Sequence, residues 1–175
     1  MSSLTTYATF RKARAMTDGT TYADPSDPPA ISITRIFDAP RELVYAAWTD
    51  PRQFAVWFGG PDGEIPLDTV SMDARPGGKW KLTMFYGPDR TAMPWHGEFI
   101  VLDPPARIVM TLSDTTDSDD VEPLIIRFNE ADGGRTEMVF EQRGGHLDAA
   151  GYEQARQGWL VFFDTLASLL PPLPA

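Results

Sequence analysis

Cysteine is absent from the 175 residues. That removes a disulfide framework, a thiolate metal site and a cysteine nucleophile together. Histidine is scarce: only His96 and His146 occur. They stand on separate segments among scattered carboxylates, a pattern that matches no metal-ligand spacing, so no metal is expected. Basic residues are outnumbered, 15 Lys and Arg against 25 Asp and Glu, for a formal net charge of -10. Such a surface repels phosphate backbones and anionic membranes, so neither nucleic acid nor a membrane is expected as a partner. No apolar run approaches the roughly 20 residues of a membrane helix, and the N-terminus lacks the apolar stretch of a secretory signal. The expectation is a soluble, cytoplasmic protein. No G-x-S-x-G elbow, Walker loop or dinucleotide fingerprint is present, and we assign no catalytic residue and no cofactor.

What is present falls into an arm and a domain. Residues 1–30, rich in Ser, Thr, Asp and Pro, show no sustained periodicity. Their first part, with Arg11, Lys12 and Arg14 and no acidic residue, has the composition of an organellar transit peptide. The plainer reading, which we adopt, is a flexible or loosely docked arm with "DPSDPPA" as linker. Residues 31–170 form the domain, and 171–175 a tail.

"ISITRIF" alternates like a strand. "DAPRELVYAAWTD" follows as a helix, with Asp38 as cap, Pro40 in the first turn, and Leu43, Val44, Ala47 and Trp48 on one face. Asp50-Pro51 starts a second short helix that ends on Phe54, Trp57 and Phe58 before a Gly-Pro turn. Six candidate strands come next, "LDTVSMDAR", "KWKLTMFY", "MPWHGEFIVLD", "RIVMTLSD", "PLIIRFNE" and "RTEMVFEQR", each bounded by turn residues or a polar loop. With no helix between them they can only form an antiparallel meander. A long helix from about Asp148 to Leu170 closes the chain, with Trp159, Phe162, Phe163, Leu166, Leu169 and Leu170 on one stripe. A curved antiparallel sheet around one long helix buries both apolar faces, which makes the fold class α+β.

The pieces "FDAPRELVYAAWTDPRQFAVWFGGPDG", "DARPGGKWKLTM", "GEFIVLDPPARIVMT", "EMVFEQRG" and "GWLVFFDTLASLL" occur in that order. Together they resemble the helix-grip fold of the SRPBCC or START-like superfamily. More closely, the chain is similar to the bacterial proteins grouped as activator of heat-shock-protein-90 ATPase-like. The resemblance spans about Ile31 to Leu170; the arm departs from it. It implies about seven strands gripping the long helix, and a cavity that holds a hydrophobic small molecule of lipid, polyketide or aromatic kind. The family label also implies a chaperone partner and a place in the stress response.

Strand alternation names the inward side chains of such a grip. They are Trp80, Leu82 and Met84; Trp95, Gly97, Phe99 and Val101; Ile108, Met110 and Leu112; Leu124, Ile126 and Phe128; and Thr136, Met138 and Phe140. The expected ligand-binding set is Trp57, Phe58, Trp80, Met84, Trp95, Phe99, Met110, Phe128, Met138, Trp159 and Phe163, with Trp57 and Phe58 at a mouth. Aromatic and methionine side chains suit a flat or lipid-like guest. The same residues would equally fill an ordinary core. His96 and Glu98 share a strand face, which points outward, and His146 lies in the loop before the last helix. Arg127 is expected on the solvent side unless a bulge turns it inward, and the acidic stretch Asp114 to Glu122 reads as a solvated loop. Two other functions stay open. One is a protein-interaction or co-chaperone-like module, or half of a homodimer, using an apolar patch on the second short helix or the arm. The other is a cyclase or dehydratase, which needs a titratable side chain inside the cavity.

Overall fold

The structure, a computed structural model, describes residues 28–115, 121–143, 147–171 and 173. Nearly all of the expected arm, together with His146, falls outside the described residues. Strand β1 (Ile31–Phe37) buries Ile31, Ile33 and Phe37 and exposes Ser32, Thr34 and Ile36, as its period of two requires, with Arg35 half-buried on the inner side and paired with Asp164. Helix α1 (Arg41–Thr49) follows. Pro40 itself takes the N-cap position and no side chain caps the helix, so Asp38 does not play that part. Its buried face is Val44, Tyr45, Ala47 and Trp48, while Leu43 is exposed. The inward arc centres on the i, i+4 pair Val44 and Trp48, and Tyr45 rather than Leu43 extends it, packing edge-on against Phe128 at 5.6 Å.

Helix α2 (Pro51–Trp57) is set by its first two residues. Asp50 Oδ1 accepts from the Arg52 and Gln53 amides at 2.8 and 3.1 Å, and Pro51 fixes the first turn. The aromatic end of α2 turns into the core: Phe54, Trp57 and Phe58 are at most 1% exposed. The Trp57 indole N–H donates to the Ala47 carbonyl at 2.8 Å and so ties α2 to α1. Gly59, at a φ of 105°, then turns the chain where an added Cβ would sit 3.1 Å from the Met84 methyl.

The sheet is entirely antiparallel, in the order β1-β8-β7-β6-β5-β4-β2, with β3 also paired to β4. Its long members are β4 (Lys79–Tyr86), β5 (Thr91–Asp103), β6 (Arg107–Leu112), β7 (Glu122–Ala131) and β8 (Arg135–Gln142). The segment read as one strand, "LDTVSMDAR", is instead a 3-10 turn at Leu67–Thr69 and the two-residue strand β3 (Ser71–Met72); β2 (Gly63–Glu64) is equally short. The inward residues of β4, β6, β7 and β8 are buried as alternation required. On β5 a register shift between Phe99 and Val101 reverses the alternation. Leu102, opposite Ile108, therefore takes the inward place expected of Val101. Gly97 lies under Trp80: a Cβ there would fall 2.6 Å from the indole nitrogen and 1.9 Å from the Thr111 carbonyl oxygen. Without it, Trp80 donates to that oxygen at 3.1 Å.

Helix α3 (Ala149–Leu169) is capped by Asp148, whose Oδ1 accepts from the Gly151 amide at 2.8 Å. It buries Trp159, Phe163 and Leu166 against the sheet and the two short helices. At the centre Trp48 meets Trp57 at 4.7 Å and Phe140, Trp159 and Phe163 at 6.2 Å. Each such ring pair adds about 0.5–1.5 kcal/mol beyond area burial. Among the described residues no helix is long and apolar enough to cross a membrane.

Candidate functional site

Trp48, Phe54 and Trp57 fill most of the grip, but one end stays open. There the end of β6, the start of β7, the end of β8 and the first half of α3 enclose a cavity of about 270 Å³. Its lining is Phe58, Trp95, Leu112, Ser113, Asp114, Thr115, Glu122, Gln142, Leu147, Ala155, Gly158, Trp159 and Phe162. Asp114, Thr115 and Leu147 are exposed and form the rim. Phe58, Leu112, Ser113, Glu122, Gln142 and Trp159 are buried and form the floor and walls. Gly158 leaves room on the helix side, for a Cβ built on it meets nothing within 4 Å.

The floor carries a chain of hydrogen bonds. Trp159 donates from Nε1 to Gln142 Oε1 at 2.7 Å, and Gln142 donates from Nε2 to Glu122 Oε2. Tyr152 donates its hydroxyl proton to Glu122 Oε1 at 2.5 Å and accepts from the Leu147 amide at 3.4 Å. The indole can only donate, which fixes the Gln142 amide with its oxygen toward Trp159 and its NH2 toward the carboxylate. Glu122 and Gln142 are only 5% and 4% exposed, and these partners replace the water they lose on folding. Phe58 stands edge-on to Trp95 at 5.5 Å and to Trp159 at 5.9 Å, so three aromatic walls meet over this floor. Trp95 Nε1 is buried with no hydrogen-bond partner among the described residues.

Of the expected ligand-binding side chains, Phe58, Trp95 and Trp159 line the cavity. Trp57, Trp80, Met84, Phe99, Met110, Phe128, Met138 and Phe163 do not; they belong to the packed core, at most 2% exposed. The steric cause is that α1 and α2 drive their aromatic residues into the middle of the grip, so the cavity lies toward one end. Trp57 accordingly is core, and Phe58 alone of that pair is a cavity wall. The interior is also less apolar than expected. Glu122, read as the end of a solvated loop, is the first residue of β7, and its i, i+2 alternation with Leu124, Ile126 and Phe128 turns it inward. Gln142 extends the inward series Thr136, Met138 and Phe140 in the same way. Both were within reach of the alternation rule. Tyr152 had no comparable mark beyond its place seven residues before Trp159 on one helix face.

The remaining candidates lie elsewhere. His96 and Glu98 face Lys81 and Lys79 on the outer side of β5, and His96 Nε2 is 2.7 Å from the Thr115 carbonyl oxygen. Arg127 faces outward opposite Val139, its Nη2 3.5 Å from Glu141 Oε2. Tyr45, away from the cavity, has its phenol pushed up to about 12 by burial, with a further contribution from the Asp103 charge.

The model of the family described as "Activator of Hsp90 ATPase homolog 1-like protein" matches residues 38–171, from the turn before α1 to the end of α3. The chain belongs to this family. Solved structures agree with this activator-like assignment in fold. Protein CV1439 from Chromobacterium violaceum is 27% identical over 82% of this chain and 98% of its own, at a TM-score of 0.71. The AHSA1 protein SPO3351 from Silicibacter pomeroyi is 20% identical over 79% of this chain and 94% of its own, at 0.68. Protein Ms6760 from Mycobacterium smegmatis is 23% identical over 82% and 91%, at 0.67. The two lower identities speak for the fold alone. No curated protein matches the chain. Its α+β helix-grip architecture is thus that of the activator-like family.

Proposed function

We propose that this protein binds a small hydrophobic molecule in the cavity between the β6–β8 strand ends and α3. The observation that carries the reading is an aromatic-walled space of about 270 Å³ with a hydrogen-bonded polar floor. Its volume lies near the lower end of small-molecule sites, which favours a guest of one or two fused rings over a long lipid. The measurement is native mass spectrometry of the protein purified from its own source, repeated after denaturation. A small molecule released on unfolding supports binding; an empty protein that also fails to take up a neutral apolar fluorophore refutes it.

A cyclase or dehydratase is a second reading, favoured by Glu122, a titratable group inside the cavity with the Tyr152 hydroxyl at 2.5 Å. Conversion of the released molecule on re-incubation with the protein, lost in Glu122→Gln, would support it. For the interaction-module reading, α2 presents Val56 as its only exposed large apolar side chain.

A further inference from the structure

We propose that residues 1–27 dock across the outer face of the sheet, over a strip of apolar side chains on β6 and β7. Val109 and Ile125 carry the argument. They stand opposite one another on the face that also bears Thr111 and Arg127, outside the core cluster into which α1, α2 and α3 bury their own apolar residues. Both are nevertheless 0% exposed, and Thr111, Ser113 and Pro123 beside them are buried too. An open sheet face leaves such side chains partly wet, as it does Val139 on β8. The sequence agrees: "RIVMTL" and "PLIIRF" are apolar on both faces, the mark of strands covered on both sides, whereas "KWKLTM" and "RTEMVFEQ" alternate apolar with polar or charged residues.

The structure holds a single chain, so the cover is a part of that chain. Residues 1–27 suit the place by length and by chemistry. They enter the sheet at β1, whose Ser32 lies in one row with Glu141, Ile125 and Val109 across four neighbouring strands. Strand spacing puts Val109 about 15 Å from the β1 edge, a span that about five residues of extended chain cover. Residues 116–120 and 144–146 are shorter and tied at both ends to the cavity end of the sheet. Leu4, Tyr7 and Phe10 supply apolar side chains for the strip. Arg11, Lys12 and Arg14 follow in a stretch without acid, which the acidic remainder of the chain attracts. Glu98, Arg107 and Arg143 stand around the strip on the same face, and none of the three is without a partner.

The test uses the full chain, whose lack of cysteine lets a single introduced thiol report on the strip. Val109→Cys sets that thiol under the cover, and Thr34→Cys, at an exposed outer position of β1, is the reference. Iodoacetamide alkylation of the native protein is followed by intact mass. The Val109→Cys chain should react at least about tenfold more slowly than the Thr34→Cys chain, and adding Tyr7→Ser and Phe10→Ser should abolish most of that difference. Those two changes lie outside the domain and leave its folding alone; should Val109→Cys itself disturb β6, Ile125→Cys gives the same reading from β7. Equal rates at the covered and reference positions overturn the proposal, because the strip is then open. Slow alkylation that ignores the arm substitutions overturns it as well, since another segment then forms the cover. Protection that fades on dilution also overturns it and assigns the strip to a second copy of the chain.

Discussion

Gly158→Leu should make the protein more stable and less able to bind. Gly158 lies inside α3, where glycine costs about 0.8–1.0 kcal/mol relative to alanine and leucine ranks near alanine. A Cβ there has nothing within 4 Å, so the new side chain enters open space on the cavity wall without strain. Partial burial recovers a fraction of the ~1.5–3 kcal/mol of a fully buried leucine, against roughly 0.5–1 kcal/mol of lost rotamer freedom. The net is a stabilisation of about 1–2 kcal/mol, or a Tm rise of roughly 2–8 °C for a chain of this size. Gly158→Ala should keep about 1 kcal/mol of that and disturb binding less. Urea unfolding reads the first effect and fluorophore titration the second, where Leu should cost at least about tenfold in affinity, the loss of roughly one buried contact group. Two results would refute the reasoning. Destabilisation by Leu would mean that the space beside Gly158 is not open. A stabilised Leu variant with undiminished affinity would mean that guests bind elsewhere.

Gln142→Leu removes the link between Trp159 and Glu122, taking the acceptor from a buried indole N–H and one donor from the Glu122 carboxylate. At about 1–3 kcal/mol per group the loss should reach roughly 3 kcal/mol or more in urea unfolding, and a loss below about 1 kcal/mol would show that water satisfies the site. Gly97→Ala forces a Cβ to within 1.9 Å of the Thr111 carbonyl oxygen and should cost about 1–3 kcal/mol by the same assay, with Trp80 fluorescence shifted as its indole is displaced. Tyr45 titrates higher when folded, about 12 against an ordinary value of 10, so the unfolded chain loses this proton first. Its contribution, at most about 2–3 kcal/mol, is fully present below pH ~10 and disappears as pH rises toward ~12. Tyr45→Phe should flatten that part of the stability profile; an unchanged slope would place its cause in other tyrosines.

Much of the fold was legible because local rules agreed with one another. Asp50-Pro51 both stops α1 and starts α2, and glycine pairs mark turns, while the residues that alternation assigned inward on β4, β6, β7 and β8 are all buried. The misreadings fall where a local rule meets a tertiary one. Val101 failed because a bulge, invisible in composition, reverses the face halfway along β5. Leu43 failed because a nine-residue helix packed on one side has room for a single arc, and Tyr45 occupies its margin. The site was legible in its walls and not in its floor. Glu122 and Gln142 obey the alternation that identified Leu124 and Phe140, but charge and polarity argued for solvent. Only the assembled chain through Tyr152 and Trp159 shows why burying them is tolerable. That Trp57 and its neighbours fill the grip depends on how α1 and α2 settle on the sheet, which no periodicity encodes.

Strand β5 serves two masters: Thr91–Glu98 runs in register with β4, and Phe99–Asp103 with β6. One residue added or deleted within it would move one ladder out of step with the other and turn a whole set of side chains over to the wrong face. In this chain a residue is therefore added at least cost in the turns on either side, at Gly87–Arg90 and at Pro104–Ala106, outside both ladders.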